Sequence, residues 1–203
     1  MHMVAPARVW SVEDVLALPW DGRRLELIDG MLFVNGVEVP GGDLDQLDPA
    51  MTPSASLVHQ RAVVKLVRLL ADYVEPARAG LVVVAPADVR LAPETVVQPD
   101  VFVAPLVGGR APRSLVEIRT LLLAVEILSP STARSDRVHK RALYQRAGVA
   151  EYWIVDLDAR VVERWKPGSD VGEIFTTTLE WLAVGAESAL RIELPAFFSG
   201  VVE

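Results

Sequence analysis

One segment constrains the fold of this chain more than any other: Leu121–Leu128, LLLAVEIL, an almost unbroken apolar run with a single carboxylate, Glu126, inside it. A run this short reads as a strand buried on both faces, which needs core on either side and therefore a layered α/β structure. Glu126 is the anomaly, because burying an ionised group without a partner costs several kcal/mol. Asp100 poses the same problem inside VVQPDVFV, preceded by Pro99 and followed by Val101, Phe102 and Val103. On adjacent strands the two carboxylates would lie close enough to repel, unless a shared proton or a divalent cation relieves them. The cation reading makes both anomalies one feature. The alternative is that each acid sits at a strand end and meets solvent or an arginine.

Composition narrows the chemistry. The chain has no cysteine, so disulfide frameworks, thiolate zinc sites and cysteine nucleophiles are excluded, and three histidines make a closed histidine metal site a poor expectation. Any metal would be a hard cation on carboxylates, magnesium, manganese or calcium. Across 203 residues, 27 Asp and Glu outnumber 20 Lys and Arg, a formal charge of −7, and 51% of residues are hydrophobic. That hydrophobicity predicts an ordered chain, and the negative charge argues against a general nucleic-acid coat. Met1–Trp20 contains Pro6, Arg8, Glu13, Asp14 and Pro19 without an apolar core, and no run approaches the roughly 20 apolar residues of a membrane span. The expectation is a cytoplasmic protein with no membrane partner.

Along the chain, Ser11 can cap a short helix, SVEDVLAL, with Asp14 three residues on. RRLELIDGMLFVNG alternates apolar residues around Asp29-Gly30, a hairpin signature. Val37–Ser56 reads as a mobile acidic loop carrying Asp43, Asp45 and Asp48. Leu57–Tyr73 has the spacing of a long amphipathic helix. LVVVAPADVRL and VVQPDVFVAP read as two strands, and Asp136–Ala147 as a helix stopped by Gly148. EYWIVD and VVERWKP follow as strands, then EIFTTTL and LRIEL. Residues two apart on a strand share a face, so Ala124, Glu126 and Leu128 point together. A lysine at the third of these positions would complete a nuclease triad, and the nearest substitute for Leu128 is Lys140 on the next helix. Between Ser131 and Ala150, five basic residues face the single Asp136, a local surplus of four positive charges. A plain solvated face is the competing reading, and the better one for Arg141 and Arg146.

In their order, RLELIDG, MTPSASLVHQRA, VVQPDVFV, VEILSPST and DRVHKRALYQRAGVAEYWIVD resemble the Uma-type bacterial restriction endonuclease family of the PD-(D/E)xK nuclease superfamily, over about Leu25 to Asp156. The resemblance implies a restriction-endonuclease-like α/β fold, a mixed β-sheet flanked by helices, as one domain over 1–203 with its core at about 23–167 and extra C-terminal strands. It also implies that Asp100, Glu126 and Glu26 hold Mg2+ or Mn2+, with the backbone carbonyl of Ile127 as a further ligand and Lys140 as the lysine moved from strand to helix. His59 matches a family position expected near substrate, where capping or packing would serve equally. Asp88 and Tyr144 match weaker positions and read as structural. The segment Val37–Ala50 is longer and more acidic than the family pattern.

The leading expectation is therefore a Mg2+-dependent DNA endonuclease hydrolysing phosphodiester bonds. Its residues would be Asp100, Glu126, Lys140 and Glu26 at the centre, and Arg134 and Arg137 on flanking phosphates. The rival is a catalytically inactive nuclease-fold module that binds DNA or protein. A Lys140 within about 4 Å of the carboxylates favours catalysis, and one pointing to solvent favours the module. A third reading, a carboxylate-metal hydrolase of small phosphorylated substrates, predicts a closed pocket. A homodimer is expected if Trp153, Trp165 and Trp181 cover a partner subunit. DNA binding should be weak and strongly salt-sensitive.

Overall fold

The computed structural model describes residues 9–19, 21–44 and 56–203. The first eight residues, Trp20 and the loop acids Asp45 and Asp48 lie outside the described residues. Ser11 caps α1 (Val12–Leu16) in a reciprocal box with Asp14. The Asp29-Gly30 signal then produces β1 (Leu25–Ile28) and β2 (Met31–Val34), and Asn35-Gly36 turns the chain again into β3 (Val37–Glu38). All four turn residues have positive φ, as two-residue hairpin turns require. The third strand was expected to be loop, although Asn-Gly after an alternating run is itself a hairpin signal.

Ser56 caps α2 (Leu57–Val74), whose buried stripe is Ala62, Val63, Leu66, Leu70 and Val74. Beyond it the chain alternates between two sheets. β4 (Leu81–Val84) and β7 (Val101–Ala104) pair in one, while β5 (Val89–Ala92) and β6 (Thr95–Val97) pair in the other. LVVVAPADVRL and VVQPDVFVAP are thus four strands and not two, broken around Pro86 and Pro99. Proline cannot donate to a ladder, so a strand run through it tends to end there.

The first sheet is antiparallel in the order β3-β2-β1-β6-β5. The second has the order β11-β10-β9-β8-β7-β4 and is mixed, because β8 (Leu123–Ile127) runs parallel to β9 (Tyr152–Asp156). A π-helical turn over 135–140 leads into α3 (Arg141–Arg146), which connects those two strands. β10 (Val161–Trp165) and β11 (Glu173–Phe175) complete the second sheet. A separate ribbon, β12 (Thr178–Trp181) with β13 (Leu190–Glu193), precedes α4 (Leu194–Val202). The expected α/β class holds, with the strands divided among two sheets and a ribbon.

Every residue of β8 is buried, as the apolar run required. Leu123, Val125 and Ile127 pack with α2 and α4 on one face, and Ala124 packs on the other with Ile28 and Phe33 of the first sheet. By the two-residue period, Glu126 points with Ala124 toward the first sheet and Glu26 points with Ile28 toward the second. The tryptophans expected at an interface belong to the core: Trp153 and Trp181 meet edge to face in a buried cluster, and Trp165 lies beneath Arg141. Packing between the ribbon and the second sheet covers Trp153 and Trp181, whereas Trp165 is partly buried. No helix among the described residues is long and apolar enough to cross a membrane.

Candidate active site

The division into two sheets decides where the charged residues meet. β1 brings Glu26 from the first sheet, β8 brings Glu126 from the second, and Asp100 occupies the step between them, just after Pro99. Helical elements add Lys140 and Asp136 from the π-helical turn, Tyr144 from α3 and His59 from the first turn of α2. Widening of that turn shows in the Arg141 N–H, which donates to the carbonyl of Asp136 five residues back. Asp136 and Lys140 thereby share a buried helix face, and their side chains pair at 3.4 Å.

Lys140 is fully buried. Its Nζ lies 2.9 Å from Glu126 Oε1 and 3.0 Å from Glu26 Oε1, so with Asp136 its three N–H donors face three carboxylates. Glu26 Oε1 also accepts the Gln98 N–H at 2.9 Å, while Glu26 Oε2 is buried without a hydrogen-bond partner. Tyr144 Oη donates to Glu126 Oε1 at 3.2 Å. Asp100 Oδ2 accepts the Ile127 N–H at 2.8 Å and sits 3.1 Å from His59 Nε2. Ile127 therefore meets Asp100 through its amide, and His59 braces a carboxylate.

Sequence reasoning missed the residue at the centre. Arg24 spreads its guanidinium across all three acids, with Nη1 2.9 Å from Asp100 Oδ1 and Nη2 3.2 Å from Glu26 Oε1 and 3.1 Å from Glu126 Oε2. Its backbone is clamped by Asn35, whose Oδ1 accepts the Arg24 N–H at 2.9 Å and whose N–H donates to the Arg24 carbonyl at 2.8 Å. Gly36 follows, and a Cβ there would come within 2.5 Å of Thr132 Cγ2, so only glycine lets this turn press on the loop after β8. The arginine of the alternative reading for these acids is thus present, at the same junction where the carboxylates meet.

The charges do not balance. Four buried carboxylates, Glu26, Asp100, Glu126 and Asp136, face two fixed cations, Arg24 and Lys140. Burial works against ionised Asp100, yet Arg24, His59 and the Ile127 amide hold it well below the usual carboxylate range. At Glu126 burial prevails over Lys140 and Arg24, and with Asp100 and Asp136 nearby its carboxyl is pushed up to about 8. Burial also opposes charge on Lys140, as does Arg24, but the surrounding acids raise its pKa and keep it an ammonium. A proton on Glu126 would supply one of the two missing positive charges.

These donors are hard oxygens, a deficit of two charges remains when all four acids ionise, and the buried oxygens Glu26 Oε2, Asp136 Oδ1 and Asp136 Oδ2 have no hydrogen-bond partner. On all three counts the residues fit a divalent cation. Among the described residues, no three Asp, Glu or His side chains are gathered as a ready coordination sphere. Arg24 stands between them instead.

The remaining candidates lie outside this cluster. Arg137, expected on a phosphate, is held by Asp156 at 2.9 Å and Glu163 at 2.7 Å. Arg141 stacks on Trp165, and Arg146 pairs with Asp29. The basic surplus of this helix is therefore largely spent inside the molecule; Arg134 is exposed, with no ion pair among the described residues. The Asp88 carboxylate accepts from Gln98 at 2.8 Å, behind Glu26, a structural position.

A model of the Uma2 family, described as "putative restriction endonuclease", matches residues 12–195. The chain belongs to the Uma2 family. No curated protein matches it. Among solved structures, it is similar to one described as a "putative nuclease belonging to DUF820" from Anabaena variabilis ATCC 29413. That match has 16% identity and a TM-score of 0.73, covering 95% of this chain and 99% of the other. At that identity the likeness speaks for the restriction-endonuclease-like fold. In this Uma2 chain the motifs ELIDG, QPD and VEI converge on the junction of the two sheets, and DRVHK supplies the buried ammonium.

Proposed function

We propose that this Uma2 chain is a nuclease, specifically a divalent-metal-dependent DNA endonuclease hydrolysing phosphodiester bonds, with residues 1–203 acting as one domain. The observation carrying this reading is the convergence of Glu26, Asp100 and Glu126 with Lys140 Nζ 2.9–3.0 Å from two of them. Asp100, Glu126 and Glu26 are the side chains that would hold Mg2+ or Mn2+, and the chemistry such a cation supplies is water activation and charge neutralisation at a phosphate. Lys140 is charged, fully enclosed and committed to three carboxylates, so in this state it is a positioning residue and no general base. Tyr144 and the Ile127 amide fix one oxygen each of Glu126 and Asp100, and His59 steadies Asp100 further. Each is a support for the carboxylate pair. Arg134 is the exposed cation nearest in sequence that remains to contact a flanking phosphate.

A second reading is favoured by one observation. Arg24 neutralises the carboxylates from within, as a nuclease fold retained as a non-catalytic binding module would do. Incubating the protein with supercoiled plasmid and with single-stranded DNA in Mg2+ or Mn2+ separates the two. The nuclease reading expects cleavage by the wild type and its loss in both Asp100→Asn and Glu126→Gln. Retention of DNA in a gel shift without cleavage in either metal would favour the module.

A further inference from the structure

We propose that Arg24 is a displaceable counter-ion: its guanidinium holds the oxygens a divalent cation needs, and it thereby sets the affinity of the junction for metal. The inference rests on the preceding reading that Asp100 and Glu126 are the cation's ligands, and it concerns a residue that reading does not use.

Of the six carboxylate oxygens on Glu26, Asp100 and Glu126, three are fixed by groups that stay in place. Asp100 Oδ2 is taken by the Ile127 amide and His59, Glu126 Oε1 by Lys140 and Tyr144, and Glu26 Oε1 by Gln98 and Lys140 as well as Arg24. Asp100 Oδ1 and Glu126 Oε2 are bound by Arg24 alone among the described residues. Glu26 Oε2 is unpartnered. A cation bridging Asp100 and Glu126 must take the two oxygens Arg24 now occupies. A metal–oxygen distance of about 2.1 Å leaves no room for a guanidinium on the same atoms.

Two further features make Arg24 the cation that moves. Its side chain is 20% exposed whereas that of Lys140 is 0% exposed, so of the two it has the route to solvent. Its Nε is buried without a hydrogen-bond partner, so the present position satisfies the fork of the guanidinium and not its stem. The Asn35 clamp fixes the main chain, and the exchange is a rotation of one side chain while β1 stays in place.

Calorimetric titration of the full chain with Mn2+ alone tests this. Arg24→Met is expected to bind Mn2+ about tenfold more tightly than the wild type, or better, because a competing charge has gone. Asp100→Asn is expected to bind it at least about tenfold more weakly. Equal or weaker Mn2+ binding by Arg24→Met, with Asp100→Asn still impaired, overturns the counter-ion role and leaves the cation site standing. Unchanged binding by Asp100→Asn removes the cation site itself. Should Arg24→Met fail to fold, arginine side-chain 15N spectra of the wild type decide: saturating Mg2+ is expected to turn one slowly rotating, buried guanidinium into a mobile one. Spectra unaltered by bound Mg2+ overturn the inference.

Discussion

Two groups of ion pairs in this molecule obey different rules. At the edge of the second sheet and on the ribbon, Arg164 pairs with Glu173, and Arg191 with Glu180 and Glu193, most of these side chains more than half in water. At the junction, Arg24 and Lys140 face four acids with almost no water. On the surface an unequal count of acids and bases is harmless, because solvent and salt complete the balance. In the junction the same inequality must be met by a bound proton or a bound cation. An excess of buried acid is thus a demand for a positive ligand, and the surface network makes none.

Substitution at the buried end should have the largest effect. Lys140→Met leaves Glu26, Glu126 and Asp136 without their shared ammonium and is expected to destabilise the fold by roughly 3–5 kcal/mol, measured by chemical denaturation. A loss below about 1 kcal/mol, the scale of an exposed pair, would erase the contrast between the two regions.

The pH dependence of stability should show a smaller effect. Glu126 has a folded pKa of about 8 against an ordinary value of 4.5, so the folded state binds its proton more tightly than the unfolded one. Its stabilising contribution is complete below about 4.5 and is lost as pH rises toward 8. Asp100 has the opposite sign: its folded pKa is depressed, its contribution is present above the ordinary 3.8, and it is lost as pH falls further. The melting temperature of the cation-free protein should therefore be highest near pH 5 and decline toward pH 8. Glu126→Gln should flatten that decline, and Mn2+ should oppose it most at pH 8. A melting temperature that rises steadily to pH 8 without metal would contradict the assignment.

Smaller effects belong to the surface. Arg137→Ala removes two pairs that are partly exposed, and a loss of at most about 1 kcal/mol is expected, with DNA retention unchanged. Arg191→Ala, in the most exposed network, should leave the denaturation midpoint essentially unchanged. If either approached the Lys140→Met effect, solvent would not be balancing these charges as described.

The centre of the site was legible where chemistry conflicted with its surroundings. Glu126 and Asp100 declared themselves as acids in apolar strands, and the ELIDG and DRVHK motifs led to Glu26 and Lys140. Arg24 escaped because Arg23-Arg24 looks like an exposed pair before a hairpin. Strand parity was the available signal, since residues 24, 26 and 28 share a face and Ile28 is core. Asp136 was only counted against the basic residues around it, although its spacing of four from Lys140 puts both on one helix face. The two-sheet arrangement was hidden because LVVVAPADVRL and VVQPDVFVAP were each read as one strand, straight through Pro86 and Pro99. Each instead marks where the chain leaves one sheet for the other, and the second crossing is what places Asp100 between Glu26 and Glu126. The positive edge expected of the 131–150 helix was a count of charges, and a count says nothing of Asp29, Asp156 and Glu163, which neutralise it from distant strands.

The most direct test of the junction as a cation site is a crystal soaked in Mn2+, with anomalous scattering recorded at the manganese edge. The account predicts a peak bridging Asp100 Oδ1 and Glu126 Oε2, with the Arg24 guanidinium turned away from both. A crystal saturated with Mn2+ that shows no peak there, and Arg24 still spanning the three carboxylates, would contradict it.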